Sequence, residues 1–218
     1  MKPWAKFLFA AATSLFAAAC ATVQQAENVG PNDPSALAAI RAAYMKAGAE
    51  RSFRAQMVTE SGGKVHESTM EYAAPGRMHM VMKTQNMEHI VVDGVHYMKS
   101  SDGKWTRLPI SSASWIEQFR KDPEALAAFE RTVSGAQRVG LEAVNGQPAT
   151  AYRYYQSAKV AGGLGSSAGW VKVWIGANGL PLKVESDSSS SVLGIGGHGK
   201  TTILYHDYGA NVRIAAPM

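Results

Sequence analysis

The chain has 218 residues with 46% hydrophobic side chains, which is enough apolar material for one sizeable core. Its formal net charge of +5 falls to about +3 when Lys2 and Lys6, which lie in an apolar leader, are left out. The remaining Lys and Arg residues are scattered, so no nucleic-acid partner is expected. A single cysteine excludes an internal disulfide, and the fold has to rest on packing.

Residues 1–19 have the layout of a secretory signal peptide. Lys2 and Lys6 supply positive charge, and the uncharged apolar stretch from Phe7 to Ala19 ends in small residues. This stretch is about 13 residues long, whereas a membrane-spanning helix needs about 20. We therefore expect the segment to be removed after export.

Cys20 directly follows Ala17-Ala18-Ala19. This sequence resembles the bacterial lipobox, in which the cysteine becomes the acylated first residue of the mature protein. The resemblance implies a membrane anchor through lipidated Cys20 and, since Ala21 is not aspartate, a place in the outer membrane facing the periplasm. The alternative is ordinary signal-peptide cleavage near Ala19 or Ala21, which leaves Cys20 discarded or unused.

The segment from residue 20 to residue 34 is polar and contains several Asn, Gln, Gly and Pro residues. Such a composition has little to bury, which predicts a lipidated N-terminus followed by a tether. One domain is expected to follow over residues 35–218.

An amphipathic helix is predicted at the start of this domain, over Ser35–Lys46. Its apolar side chains recur at helical spacing: Leu37, Ile40 and Tyr44. Asp33 or Ser35 is expected to cap the first turn, and Gly48 is expected to end the helix.

From Arg51 onward the hydrophobic pattern has a period of two, which is typical of half-buried strands. The alternating apolar residues include Phe53, Ala55 and Met57, and later Met78, Met80 and Met82. Five turn-forming dipeptides separate the strands: Gly62-Gly63, Asp93-Gly94, Asp102-Gly103, Asn145-Gly146 and Asn178-Gly179. Tight turns at this frequency favour an antiparallel meander.

Two helical segments are predicted in the middle of the chain. Ser114 to Glu117 forms a capping box, and Asp122-Pro123-Glu124 begins a second helix. Their apolar side chains would form one stripe, with the helical pair ending near Gly135: Trp115, Ile116, Phe119, Leu126 and Phe129. Two later segments are expected to be loops, Ala161–Gly169 and the Ser- and Gly-rich run Ser188–Gly199.

The sequence offers little support for catalysis or nucleotide binding. Residues 194–201 fit the phosphate-binding pattern GxxxxGK[ST], but a β-branched run follows where a nucleotide site requires a helix. The residue types of a hydrolytic site are present as Ser190, His198, His206 and Asp207, without a nucleophile elbow or metal-ligand spacing. On a strand, His206 and Asp207 would face opposite ways. We expect a noncatalytic protein with no cofactor or metal.

The sequence also contains side chains that could bind copper, because thioether and imidazole groups suit Cu(I). The candidate ligands are Met78, His79 and Met80, together with His89 and His96. On a strand, however, His79 points away from the face that carries Met78 and Met80. The sequence therefore disfavours copper binding.

Eight of the ten methionines lie between Met45 and Met98. Thioether side chains can fill irregular gaps in a solid core, and they can equally line a pliable apolar cavity that accepts acyl chains. The sequence leaves both interpretations open.

Seven short sequence segments, at the starts of predicted strands and at turns, are similar to those of a known family. They are Ser52–Thr59, Tyr72–Arg77, Asp93–Tyr97, Gly103–Trp105, Val173–Ile175, Gly179–Lys183 and Tyr208–Val212. With the order helix, meander, helices, meander, the chain resembles the LolA-like superfamily over about residues 35 to 217. The resemblance implies a mainly β fold, a half-open antiparallel β-barrel with N-terminal and mid-sequence helices forming a lid.

The resemblance also implies a function: a membrane-anchored periplasmic lipoprotein that binds lipid or lipoprotein acyl chains in an apolar cavity, as a carrier or chaperone in envelope trafficking. The side chains expected to line that cavity are Met57, Met78, Met80, Met82, Trp115, Ile116 and Phe119. The alternative is a noncatalytic envelope scaffold or sensor lipoprotein with the same fold and a filled core.

Overall fold

A computed structural model describes residues 29–111, 123–159, 165–192 and 195–217. Two helices are present in these ranges, α1 (Pro34–Ala49) and α2 (Pro123–Arg131), with a 3₁₀ turn at Lys83–Gln85. The strands are β1 (Ser52–Ser61), β2 (Lys64–Ala73), β3 (Arg77–Met82), β4 (Met87–Val92), β5 (Val95–Lys99), β6 (Trp105–Ser111), β7 (Val133–Val144), β8 (Gln147–Lys159), β9 (Gly165–Gly176), β10 (Pro181–Val192) and β11 (Ile195–His206).

All eleven strands belong to one antiparallel sheet, in the order β6, β5, β4, β3, β2, β1, β11, β10, β9, β8, β7. Neighbours in the sheet are neighbours in sequence except at the centre, where β1 pairs with β11. The first and last strands of the chain thus join two meanders into one sheet. The prediction of a mainly β, antiparallel fold is confirmed, and the sheet remains open between its edge strands β6 and β7.

The five predicted turn dipeptides all connect consecutive strands. At Asp93-Gly94, between β4 and β5, the φ angles are 52° and 77°, and at Asn145-Gly146, between β7 and β8, they are 49° and 78°. Two consecutive residues with positive φ match the twist of the flanking strands, and Asn, Asp and Gly tolerate this conformation best. Local chemistry therefore fixes these hairpins.

Helix α1 begins as the sequence indicates but ends later. The carboxylate of Asp33 accepts hydrogen bonds from the backbone N–H groups of Ser35 (2.8 Å) and Ala36 (3.4 Å). Pro34 occupies the first turn, where its missing N–H costs nothing. The expected stop at Gly48 is wrong, because the helix continues to Ala49 and is capped by Glu50.

The main core lies on the face of the sheet that carries both helices, which we call the inner face. Ile40 of α1 and Phe129 of α2 pack there with strand residues that include Phe53, Met70 and Val173. The helices also contact each other, through the ring edges of Tyr44 and Phe129 (5.5 Å between centroids) and the Arg41–Glu130 ion pair (3.2 Å). The predicted helical stripe therefore reaches the core through Phe129.

The second predicted helix ends earlier than expected. It stops at Arg131, and β7 begins at Val133 rather than after Gly135. The capping box at Ser114–Glu117 and the cavity candidates Trp115, Ile116 and Phe119 lie outside the described residues.

The Ser- and Gly-rich run Ser188–Gly199 was expected to be a loop, and this is wrong. β10 and β11 form a long hairpin whose pairing runs from Lys183↔Leu204 to Val192↔Ile195. The expected loop Ala161–Gly169 likewise gives way to strand β9 from Gly165 onward. Small side chains suit this part of the sheet, since a Cβ at Gly169 would lie only 2.2 Å from the backbone oxygen of Asp187.

The last residues of the predicted tether are docked on β7. The Asn32 side chain accepts a hydrogen bond from the Ala136 N–H (2.9 Å) and donates one to the Val133 carbonyl (3.1 Å). The N–H of Asp33 donates to the Ala136 carbonyl (2.8 Å), and that of Gly135 donates to Gly30 (3.0 Å). A polar composition predicted solvation here, but the polar groups instead pair with the edge strand.

Candidate ligand-binding face of the sheet

The candidate site is the inner face of strands β1 to β5. Residues directly opposite each other on paired strands share a face, so the pairing register settles which side chains lie together. Three rows cross the inner face from β1 toward β5. They are Met57, Ser68, Met82 and Met87; Ala55, Met70, Met80, His89 and Met98; and Phe53, Tyr72, Met78, Val91 and His96.

The predicted lining residues Met57, Met78, Met80 and Met82 therefore do share one face. They differ in burial: Met57 and Met78 belong to the core, with 7% and 5% of their surface exposed. Met80 is half-buried and packs at the margin of that core, and Met82 is half-buried without belonging to it. Met57 and Met78 thus belong to a filled core, whereas Met80 and Met82 form part of a half-buried thioether surface beside it.

Two histidines lie among the thioethers on the inner face. His89 faces Met80 and Met98 across the strand pairs, and its Nε2 lies 3.1 Å from Nδ1 of His96. Burial, followed by the proximity of His96, lowers the pKa of His89 to about 4. The His89 ring is consequently uncharged near neutral pH.

His79 lies on the opposite, outer face, as the strand alternation predicts. Its Nε2 is 3.0 Å from Glu88, whose other oxygen accepts a hydrogen bond from Lys99 at 2.9 Å. The Lys99 ammonium and then the His79 ring hold the pKa of Glu88 below its usual value. His79 is thus part of a surface ion-pair network and takes no part in the inner face.

Known protein families and curated proteins give no sequence match to this chain. Solved structures do match it. The crystal structure of the lipoprotein LppX from Mycobacterium tuberculosis has a TM-score of 0.55 and 16% identity, covering 84% of this chain and 100% of LppX. LprF from Mycobacterium bovis has a TM-score of 0.54 and 14% identity, covering 86% of this chain and 99% of LprF. The protein has a LolA-like fold.

Buried tyrosines add polar groups to the LolA-like core. The hydroxyls of Tyr44 on α1 and Tyr154 on β8 lie 2.9 Å apart, and Tyr208 donates to the Pro181 carbonyl at 2.8 Å. Burial raises the pKa of Tyr44 to about 12 and that of Tyr154 well above its usual value. The sequence placed Tyr44 on the apolar face of the helix. It could not predict the hydrogen bond to Tyr154, because the two tyrosines are 110 residues apart in the chain.

The residue types of a hydrolytic site are not assembled in this LolA-like fold. Ser189 pairs with His198, so Ser190 lies on the other face from that histidine. The ring of His198 is paired with Asp187 instead. Residues 195–206 form strand β11 where a phosphate-binding loop would need a helix, as the sequence indicated.

One expectation about these residues is wrong. His206 and Asp207 do not face opposite ways, since His206 Nδ1 lies 3.1 Å from the Asp207 carboxylate. Strand β11 ends at His206, and Asp207 has a φ of 55°, so the strand alternation no longer applies. Asp207 also accepts a hydrogen bond from Arg54 at 3.2 Å, which gives it a structural partner.

Within the ranges that the structure describes, no helix is long and apolar enough to cross a membrane. The same ranges contain no group of three or more His, Cys, Asp and Glu side chains placed to hold a metal ion.

Proposed function

We propose that this protein is a cell-envelope lipoprotein that binds lipid or lipoprotein acyl chains on the inner face of its sheet. The observation that carries the proposal is the methionine-rich, mainly apolar face formed by the three rows in a LolA-like fold. A LolA-like fold shared with a bacterial lipoprotein supports the envelope location.

The chemistry of the inner face suits flexible chains. Each methylene of a ligand that leaves water contributes about 0.8 kcal/mol, without demanding a particular orientation. Methionine is unbranched and polarizable, so Met80, Met82 and Met87 can adapt to chains of different length and saturation. The half-buried position of these three side chains leaves part of their surface available for such contacts.

A matched pair of variants tests the face. Met82→Gln keeps the volume of the side chain but places an amide on the inner face, where an acyl chain offers it no hydrogen-bond partner. We expect the affinity for a fluorescent fatty acid to fall about tenfold. The control is Val81→Thr, an isosteric polar change at the neighbouring outer-face residue, and its affinity should stay within about twofold of the wild type.

The cargo itself is identified by native mass spectrometry and lipid extraction of the exported chain from residue 21, purified without detergent. Co-purified phospholipid, fatty acid or acylated peptide is the expected result. A ligand-free mass that stays unchanged after incubation with phospholipid vesicles would contradict the proposal. It would favour the envelope scaffold or sensor with a filled core.

We propose further that Cys20 carries the lipid anchor. LppX is described as a lipoprotein, and the Ala17-Ala18-Ala19-Cys20 sequence supports the same processing here. Intact mass of the membrane-extracted protein should show a chain that starts at Cys20 with added acyl groups. A mature chain without that increment would contradict the anchor while leaving the acyl-chain site untouched.

A further inference from the structure

Two thioether and two imidazole groups occupy neighbouring positions on the inner face of β3, β4 and β5. His89 lies directly between Met80 and Met98 in one cross-strand row. Directly opposed residues on paired strands have Cβ atoms about 5 Å apart, and the methionine side chain has three rotatable bonds with which to reach sideways. His96 completes the group from the next row, with its Nδ1 3.1 Å from His89 Nε2.

The two ring nitrogens are spaced as ligands of one cation are. Metal–nitrogen bonds to histidine are about 2.0 Å long, and two nitrogens 3.1 Å apart then subtend about 100° at the metal. That angle is near the tetrahedral value. In the metal-free protein the two nitrogens face each other in a hydrogen bond, with ring planes 28° apart, and coordination requires each ring to rotate so that both lone pairs meet at the metal.

The donor set selects a soft ion. Two imidazoles and two thioethers suit Cu(I), whereas carboxylates and carbonyls would favour Mg²⁺ or Ca²⁺. Two of the four groups are shielded from water, since Met98 and His96 are each only 8% exposed and the neighbouring Val91 is 1% exposed, while Met80 and His89 are half-buried. We infer that Met80, His89, His96 and Met98 form a binding site for Cu(I).

Binding of Cu(I) by the two neutral histidines releases no protons. Each neutral imidazole carries one N–H, and in the metal-free pair one of these protons lies between His89 Nε2 and His96 Nδ1. Coordination moves that proton to the other nitrogen of its own ring, so both facing nitrogens offer a lone pair to the cation. The copper remains Cu(I), and no oxidant or reductant takes part.

This proposal goes beyond lipid binding and departs from the sequence-based rejection of copper. That rejection rested on His79, which indeed lies on the outer face with Glu88. The geometry replaces His79 by Met98, a residue 19 positions further along the chain that the pairing of β4 with β5 brings beside His89.

The test is a competition between the full-length chain and a chromogenic Cu(I) chelator under reducing, oxygen-free conditions. Any free Cys20 thiol is alkylated first, because a thiolate would bind Cu(I) by itself. The wild type should remove one equivalent of Cu(I) from the chelator. No uptake by the wild type would overturn the inference.

Two substitutions and one control locate the site. Met98→Leu and His89→Phe should each weaken Cu(I) binding by about tenfold or more, because each removes one donor. Met57→Leu is the control: it changes a thioether on the same face with similar burial, 7% exposed, but on β1, three strands away from β4. Its affinity should equal that of the wild type.

Thermal unfolding followed by circular dichroism identifies any variant that fails to fold. If Met98→Leu does not fold, His89→Phe still tests the site, because His89 lies at a half-buried position. Equal Cu(I) affinity in the folded variants and the wild type would overturn the assignment to these residues. Binding of the fluorescent fatty acid by the wild type separates this result from the lipid proposal: Cu(I) uptake without fatty-acid binding supports the Cu(I) site alone, and fatty-acid binding without Cu(I) uptake overturns only the Cu(I) site.

Discussion

The Trp174 side chain illustrates how one residue on the outer face is held in place. It is 4% exposed, and its indole N–H donates to Glu142 at 2.7 Å. Lys172 donates to the same carboxylate at 2.8 Å, and the ammonium groups of Lys172 and Lys183 lie 4.5 Å and 4.6 Å from the indole ring centre. The carboxylate on the edge strand thus satisfies a buried donor that water cannot reach.

Glu142→Gln should destabilise the protein by about 1 kcal/mol at neutral pH, because a neutral amide replaces a charged but half-exposed acceptor. Lys172, and then the Trp174 N–H, hold the pKa of Glu142 below its usual value of 4.5. The stabilisation is therefore complete above this value and is lost as the pH falls through the lower folded-state pKa. Urea unfolding of both proteins from pH 7 to pH 3 measures the difference, which should shrink below pH 4.5.

Glu185→Gln is the matched control, since Glu185 also lies on the outer face and pairs with Lys183 but is 42% exposed. Its substitution should change stability by less than about 0.5 kcal/mol. A loss as large as that of Glu142→Gln would show that general surface charge, and not the Trp174 contact, is responsible.

The element that sequence composition describes least well is the segment before α1. Residues 29–33 belong to the stretch whose composition predicted a tether, yet they run along β7 and hydrogen bond to Val133, Ser134, Gly135 and Ala136. This segment covers backbone groups of an edge strand that would otherwise face solvent. It also fixes where α1 begins, because Asp33 both bonds to β7 and caps the helix.

Asn32→Ala should release this docked segment, because the side chain alone supplies one donor and one acceptor to β7. The Ala136 amide should exchange its hydrogen about five- to tenfold faster, corresponding to about 1 kcal/mol for a lost hydrogen bond. Hydrogen exchange by mass spectrometry over β7 measures this change. Asn211→Ala, at an exposed asparagine after β11, is the control and should leave the exchange of β7 unaltered; faster exchange in both would refute the docking role.

At the scale of the whole molecule, the pairing of β1 with β11 holds the two meanders together. The register places Val58 opposite Thr202 and Gln56 opposite Leu204. The partners are about 140 residues apart in sequence, and bringing them together costs loop-closure entropy that grows only slowly with length. The backbone groups at the edge of each meander, on β1 and on β11, are therefore hydrogen bonded to the other meander.

The double variant Val58→Cys with Thr202→Cys, in a chain that lacks Cys20, should form a disulfide on mild oxidation. Directly opposed strand residues have Cα atoms about 4.5 to 5.5 Å apart, within the range that a disulfide spans. Val58→Cys with Leu204→Cys is the control, because the register places these residues two positions out of step. Electrophoresis without reducing agent separates the two forms, and cross-linking of the control pair alone would disprove the register.

Part of the candidate site follows from the sequence. Strand alternation is a local property, so the sequence correctly places Met78, Met80 and Met82 on one face and His79 on the other. It cannot bring Met98 or His96 to His89, because that contact depends on the register of the hairpin of β4 with β5. The Tyr44–Tyr154 contact is invisible for the same reason.

The sequence by itself determined the antiparallel class and the five hairpin turns, and it limited the cap of α1 to Asp33 or Ser35, because these depend on residues that are neighbours in the chain. Only the tertiary structure decided the rest. The Ser188–Gly199 run is strand despite its composition, since pairing with neighbouring strands supplies hydrogen bonds that local propensity does not record. Burial and donor clustering arise when distant segments meet, so the sheet register decides which methionines fill the core and which stand beside the two histidines.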